Sequence, residues 1–406
     1  MSTIDRTSRL AVEYTLSWSS GTMAHLERYH ADPVSLWRDV LPDGLSTVLL
    51  GRGAGACAGV TIPATRFHAP RDERRVVRVR PTQFQGMDGA GKPLVPRVGR
   101  YYPEGLLHGV GGVYQQSTSP CRFLGREGDN LVFDLNHPLA GRDLRLQAEV
   151  LQVHPPQKER GGRCEDWLDR VTSDGPGMQA PPAGGVVNFF DPEGFRRDDD
   201  RPDHLFYEQP RLVQHLDSTC RAEIERQYGR LIAPGAEVLD LMGSWTSHLP
   251  ADLDLAGLTV LGLNGEELRA NPRATAIVFH DLNREPVLPF ADGSFDAVIC
   301  TASVEYLLDP RRAAREIGRA LRPGGVAALS FSNRWFPPKA VRLWTDLHEF
   351  ERLGLAAALL AGAGCFDGIT TLSRRGAPRP PDDPHWQLPF SDPLYMVWAR
   401  KIDANN

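Results

Sequence analysis

No two of the six cysteines (Cys57, Cys121, Cys164, Cys220, Cys300 and Cys365) are spaced as a C-x-x-C pair. That absence argues against a structural zinc site and a disulfide framework, and makes free thiols in a reducing cytoplasm the expectation. An excess of basic charge is also missing. With 46 Lys and Arg against 51 Asp and Glu the formal net charge is -5, so the electrostatic footprint of a nucleic-acid binder is not expected. The opening MSTIDRTSRLAVEY has no apolar segment like that of a secretory signal. The longest apolar run, 353–366, is short and broken by glycine, so no membrane span is expected. The last absence is local. VLDLMGSWTSHLP (238–250) opens like the first strand of a nucleotide-binding sheet, but Met242, Gly243, Ser244, Trp245 and Thr246 replace the glycine-rich turn that usually follows.

What the chain does have is enough for two or three globular domains. It has 406 residues, of which 41% are hydrophobic and 24% charged. Residues 8–153 hold short segments of period two (LAVEYTLSW, RRVVRVRP, NLVFDL, LRLQAEVLQV), the pattern of half-buried strands. Residues 154–203 are dense in Pro, Gly and like charges and read as a linker. From 204 onward helical patterns alternate with short apolar runs, which predicts an α/β domain with a mainly parallel sheet. A helix is expected over 209–228. Strands are expected at AEVLDLM, LTVLGLN, TAIVFHDL, FDAVICTAS and VAALSFSN, with a helix over 310–321 before the last of these and an edge strand at LYMVWARK.

DLNHPLAGRDLRLQAEVLQV (134–153), with VEYTLSWSSG (12–21) and VLPDGLSTVLLG (40–51) in order before it, resembles the SlyD-type branch of the FK506-binding prolyl isomerases. The likeness covers about 8–153 and implies a mainly β, FKBP-like domain over 1–153 with a flap domain inserted at about 77–140. It also implies an apolar pocket for an X-Pro bond and a protein client. Tyr14 and Phe67 fall at the family's aromatic positions, and Val40 and Leu41 at its pocket floor. His25 stands where the family has an acid, with Glu27 nearby, while Leu45 and Leu146 replace larger residues. A weak or silent isomerase is the expectation.

LPFADGSFDAVICTASVEYLLDP (288–310) and EIGRALRPGGVAALSFSNR (316–334) resemble class I S-adenosylmethionine-dependent methyltransferases, over 204–406. LFYEQPRLVQHLD, LDLMGSWTSH, HDLN and SFSNRWF resemble a type 11-like branch that also lacks the glycine loop. The resemblance implies a Rossmann-like fold, S-adenosylmethionine as cofactor and S-adenosylhomocysteine as product. Adenosylmethionine carries no phosphate, so a phosphate-cradling loop is not compulsory.

The cofactor residues expected are Asp240, Met242, Gly243 and Ser244 at the amino-acid end and Asn264 at the ribose. Asp281 and Leu282 are expected at the adenine, and Ser303 on the floor. Asp240 has a second reading as a helix cap, and Asn264 as a turn residue. Substrate contacts are expected from Tyr207, Gln209, Trp245, Tyr306, Asn333, Arg334 and Trp335, and catalysis from Arg211, His215, His248 and Glu305. No metal is expected. The acceptor expected is a small molecule, with a thiol or sulfide favoured, because no residue stands out as a general base and a thiolate needs none. The rival expectation is a prolyl isomerase or chaperone carrying a degenerate methyltransferase-like binding domain.

Overall fold

A computed structural model describes residues 3–67, 69–87, 91–156 and 161–403. Residues 88–90 of the expected flap and 157–160 of the expected linker lie outside these. The chain opens with the hairpin β1 (Arg9–Ser20) and β2 (Met23–Ser35), then α1 (Leu45–Leu49) and β3 (Cys57–Ile62). The strands β4 (Val76–Val79), β5 (Tyr101–Pro103), β6 (Pro120–Glu127) and β7 (Asn130–Asp134) form a separate four-stranded sheet in the order β4-β7-β6-β5. The chain then returns as β8 (Leu144–Val153) between β1 and β3. Along β8 buried and exposed residues alternate, as the sequence pattern requires of a sheet with one covered face.

Next come α2 (Trp167–Thr172), α3 (Asp203–Phe206) and α4 (Ser218–Leu231), and then the alternating half: β9 (Ala236–Leu241), β10 (Leu255–Gly262), α5 (Gly265–Ala270), β11 (Ala276–Phe279), β12 (Phe295–Thr301), α6 (Pro310–Ala320), β13 (Leu321–Phe331), α7 (Arg342–Asp346), α8 (Glu349–Ala363), β14 (Phe366–Arg375) and β15 (Leu394–Lys401). β9, β12 and β13 are nearly continuous buried runs, which is what strands covered on both faces demand. Asp309 caps α6 through the Arg312 N–H, with Pro310 in the first turn, where its missing N–H costs nothing.

One eleven-stranded sheet runs through both halves in the order β11-β10-β9-β12-β13-β15-β14-β2-β1-β8-β3. β14 pairs in parallel with β2, from Thr370 opposite Ala24 to Arg375 opposite Tyr29. The expected edge strand, β15, is therefore interior, lying between β13 and β14. Its burial is nearly continuous, and the neighbour that covers its far side, β14, has no clear signature in the sequence.

The expected linker does not hang between two bodies. Trp167 and Ala180 belong to the core of the N-terminal sheet, while Met178 and Phe189 pack into the core built around α6 and α8, together with Tyr101 of β5. The expected helix over 209–228 begins only at Ser218, capped by Asp217, whose carboxylate accepts the Cys220 N–H at 2.8 Å. All six cysteines are free. No helix among the described residues is long and apolar enough to cross a membrane.

His25 and Glu27, read from sequence as pocket residues, lie at the junction of β2 and β14. The His25 imidazole is hydrogen-bonded to Ser20 Oγ at 2.7 Å and Thr371 Oγ1 at 2.8 Å, and burial holds it neutral, pushing its pKa down to about 3. Glu27 accepts from Ser373 and from Gln179. Beside them Arg28 bridges Glu13 at 2.9 Å and Glu223 of α4 at 2.8 Å, with Arg374 at 3.2 and 3.5 Å from the same two carboxylates.

Candidate cofactor and acceptor cleft

Strand order reverses on the two sides of β9: β10 and β11 lie one way, β12 and β13 the other. A crevice opens at the carboxyl ends of the strands at such a point, and open α/β sheets bind ligands there. The cleft is lined by residues leaving β9 (Asp240, Met242, Gly243, Ser244, Trp245, His248), β10 (Asn264, Glu267), β11 (Asp281, Leu282) and β12 (Ser303, Tyr306). Tyr207, Arg211 and His215 close it from the segment after α3, and Phe336 from beyond β13. Three of the four described non-glycine residues with positive φ (Met242, His248 and Ala302) also line it. Such backbone conformations persist where the surroundings over-determine them, typically at functional sites.

The turn at 242–246 is compact for a steric reason. A Cβ on Gly243 would lie 2.5 Å from Asp240 Oδ2 and 2.8 Å from Val260 Cγ1, so glycine is needed for β9 and β10 to close together. Asp240 caps no helix. Its Oδ2 is buried without a hydrogen-bond partner, and burial raises the carboxyl to about 7.

Asn264 sits in the cleft, but its amide is fully committed. Its oxygen accepts from the N–H groups of Glu266 (2.9 Å) and Glu267 (3.1 Å), capping α5, and its nitrogen donates to the carbonyls of Tyr207 (2.8 Å) and Glu208 (3.1 Å). The expected ribose contact is thereby left without a free atom. The turn-residue reading is the one its hydrogen bonds match. Glu267, which the sequence reading passed over, accepts the Arg211 N–H at 2.6 Å and the Ser244 hydroxyl. Its spacing, three residues past an Asn N-cap, is the signal that could have found it.

Arg211 stacks over Phe206, Phe336 and Tyr207, at 4.5, 5.2 and 5.6 Å from the ring centroids. One guanidinium nitrogen donates to the Phe206 carbonyl; another, Nη1, is buried without a partner. Burial lowers the pKa of His215, helped by Arg211, and brings His248 down to about 4. Both imidazoles are therefore held toward the neutral form.

Five expected residues are not part of the cleft lining. Glu305 is buried beneath it with both carboxylate oxygens unpartnered, and burial raises it to about 8. Arg334 pairs with Asp392 at 3.2 Å, and Trp335 lies under the Arg352 guanidinium at 4.3 Å. Gln209 and Asn333 are exposed on the surface.

Residues 243–329 match the family model described as "Methyltransferase domain", so this part of the chain carries a methyltransferase domain in a Rossmann-like fold. S-adenosylmethionine is the cofactor it implies. An uncharacterized methyltransferase of Mycobacterium sp. is 30% identical over 151 residues, 37% of this chain and 54% of that protein. The ubiquinone/menaquinone biosynthesis C-methyltransferase UbiE of Hahella chejuensis is 31% identical over 140 residues, 34% of this chain and 50% of that protein. The chain thus spans about half the length of these curated relatives. A solved putative methyltransferase from Bacillus halodurans aligns at 14% identity over 44% of this chain and 99% of its own, with a TM-score of 0.32.

The cleft residues fit the implied cofactor. The unpartnered, buried Oδ2 of Asp240 suits the ammonium of the cofactor's amino-acid end, and Met242 and Leu282 offer apolar walls.

Proposed function

We propose that the chain is an S-adenosylmethionine-dependent methyltransferase acting on a small-molecule acceptor, with a thiol or sulfide favoured. The observation that carries this reading is the buried, unpartnered Arg211 Nη1 in an aromatic-walled cleft beside the expected cofactor residues. When bound, the cofactor supplies an electrophilic methyl group on sulfonium. The protein's own residues then have to position and desolvate the nucleophile, which supplies most of the catalysis in an in-line displacement. In this reading Asp240, Met242, Gly243 and Ser244 hold the amino-acid end, Asp281 and Leu282 the adenine, and Ser303 the floor. Tyr207, Trp245 and Tyr306 wall the acceptor, and Arg211 favours its anionic form. With both cleft histidines neutral and depressed in pKa, neither is a strong base, which favours a nucleophile that ionises unaided.

The N-terminal half, read as FKBP-like over 1–153, assists by completing the sheet. The rival reading, a prolyl isomerase with a degenerate second domain, has less support because Trp167 packs against Tyr14 in the core that also holds Leu45, Phe67 and Leu146.

Calorimetry with S-adenosylmethionine and S-adenosylhomocysteine tests cofactor binding; no heat with either ligand would remove the reading. Turnover with a thiol series should follow each acceptor's own ionisation and persist in His215→Ala and His248→Ala variants. Activity restricted to hydroxyl or amine acceptors, and lost in one of those variants, would overturn the choice of thiol.

A further inference from the structure

Tyr306 has a hydrogen to give that nothing in the protein takes. Its oxygen accepts the Phe336 main-chain N–H at 2.9 Å, and none of the described residues accepts its proton. The side chain is buried yet lines the cleft. Burial first, and the nearby Glu305 second, push the pKa of the hydroxyl up, so the proton stays on it. Both ends of the bond are fixed. The Tyr306 carbonyl accepts from Asn283 Nδ2 at 2.9 Å, and that nitrogen also donates to Asp203 at 2.8 Å. The Phe336 carbonyl accepts the Lys339 and Ala340 N–H groups, each at 3.0 Å, and the fully buried Lys339 ammonium donates to the Asp199 and Arg201 carbonyls at 3.1 and 2.6 Å. The Phe336 ring stacks on Tyr306, with centroids 6.1 Å apart and 30° between planes, and the Arg211 guanidinium lies over it at 5.2 Å.

An N–H accepted by a hydroxyl oxygen does two things. It occupies a lone pair, which limits where the O–H can point, and it polarises the O–H into a better donor. We infer that Tyr306 donates this hydrogen bond to the anionic atom of the methyl acceptor, beside Arg211, whose Nη1 is likewise buried without a partner. The inference rests on the proposed transfer to a thiol and gives that reading a second recognition element. A cation attracts any anion, whereas a directed O–H also fixes where the sulfur sits. The surrounding groups allow a negative charge there. Arg211 supplies the cation; His215, packed edge-on to Phe336 at 5.1 Å, is held toward its neutral form; and Glu305, raised to about 8, carries no charge below that pH. As the acceptor sulfur forms its bond to the methyl carbon, the bond to the sulfonium breaks and its electron pair stays on adenosylhomocysteine. The neutral sulfide that results is a weaker acceptor than the thiolate, so the same hydrogen bond favours substrate over product.

The test uses the full chain saturated with adenosylhomocysteine, so that no methyl is transferred, and para-nitrothiophenol, whose thiolate absorbs visible light. A hydrogen bond holds charge on the sulfur and moves that band to shorter wavelength. Tyr306→Phe keeps the ring and is expected to move the bound probe's band to longer wavelength. It should also weaken binding roughly tenfold, as for the loss of a hydrogen bond to a charged group. That change strips the Phe336 N–H of its acceptor as well, so a second variant carries at 306 a fluorotyrosine with the fluorine beside the hydroxyl. Its oxygen still accepts the N–H but its O–H is a stronger donor, so the band should move to shorter wavelength and binding should tighten. A hydroxyl that merely props Phe336 would leave the band of the fluorotyrosine protein where the wild type has it. That result, or an unmoved band in a folded Tyr306→Phe variant, would overturn the inference. Calorimetry with adenosylhomocysteine on the same samples separates the readings. A wild type that binds adenosylhomocysteine but no thiolate overturns this inference and the choice of a thiol, and leaves the cofactor reading standing; one that binds neither removes all three.

Discussion

Asp240 concentrates the chemistry of the cleft in one side chain. It is buried, one oxygen lacks a partner, and its carboxyl sits at about 7 where an exposed aspartate would ionise near 4. The unfolded chain gives up this proton at lower pH than the folded one. The stability that the protonated form contributes to the unliganded protein is therefore full below pH ~4 and declines as pH rises through about 7. Ligand binding runs the other way, since an ammonium group placed beside Asp240 favours its ionised form. The affinity for S-adenosylhomocysteine is expected to rise by up to about tenfold per unit as pH increases toward 7, and then to level off. Asp240→Asn should flatten both pH dependences and weaken binding. Calorimetry across pH in buffers of different ionisation enthalpy reads the proton released. A wild-type affinity that is flat from pH 5.5 to 7.5 would show that Asp240 does not face the ligand's cation. The sequence marked this residue by position, at the end of an apolar run. It could not show that one carboxyl oxygen, Oδ2, would be left unpartnered, which depends on the glycine beside it and the strand opposite.

At the scale of elements, local patterns succeeded where the local pattern decides the outcome. The apolar runs of β9, β10 and β12 and the Asp-Pro start of α6 were legible because burial on both faces and capping leave marks within a few residues. The stretch 209–217 was not. Its composition suits a helix that opens with Pro210, yet the backbone around it is held in a strap by contacts from α5: Asn264 on the Tyr207 and Glu208 carbonyls, Glu267 on the Arg211 N–H. Tertiary hydrogen bonds there override propensity. This gives Asn264 two competing roles with opposite predictions. As a ribose contact, Asn264→Asp would strengthen binding, because a charged acceptor makes the stronger bond. As the residue that pins the strap, the same change keeps the α5 cap but removes both donors and sets a carboxylate against two carbonyls. The expected result is weaker S-adenosylhomocysteine binding, by roughly tenfold if one to two kcal/mol of hydrogen bonding to the strap is lost, together with a lowered thermal midpoint, since Asn264 is buried. Tighter binding in the aspartate variant would restore the ribose role.

For the molecule as a whole, textures that change sharply at 154 and 204 suggested two bodies and a linker, and the continuous sheet answers why texture misled. Pro and Gly density records how a segment turns, not whether its few apolar residues are buried. Here Trp167, Met178 and Phe189 tie the segment into both main cores. The seam between β2 and β14 was beyond sequence reading as well, because parallel pairing between strands some 346 residues apart leaves no local trace. Its polar contents make it costly to open. Thr371, Ser373, His25 and Glu27 are all buried there and satisfied across the join, and the Arg28, Glu13, Glu223 and Arg374 group links β1 and β2 to α4. Removing the partners of a buried polar group carries its full desolvation penalty, about 1–3 kcal/mol each. The halves should therefore unfold together. In urea, tryptophan fluorescence and far-ultraviolet circular dichroism are expected to trace one coincident transition, and a 204–406 fragment, left with β14 as an unpaired edge, should lack a cooperative transition and aggregate. Glu223→Ala, which strips Arg28 and Arg374 of a shared partner, should lower that single midpoint instead of splitting it. Two well-separated transitions in the full chain, or a soluble fragment melting like the intact protein, would mean that the shared sheet does not couple the halves.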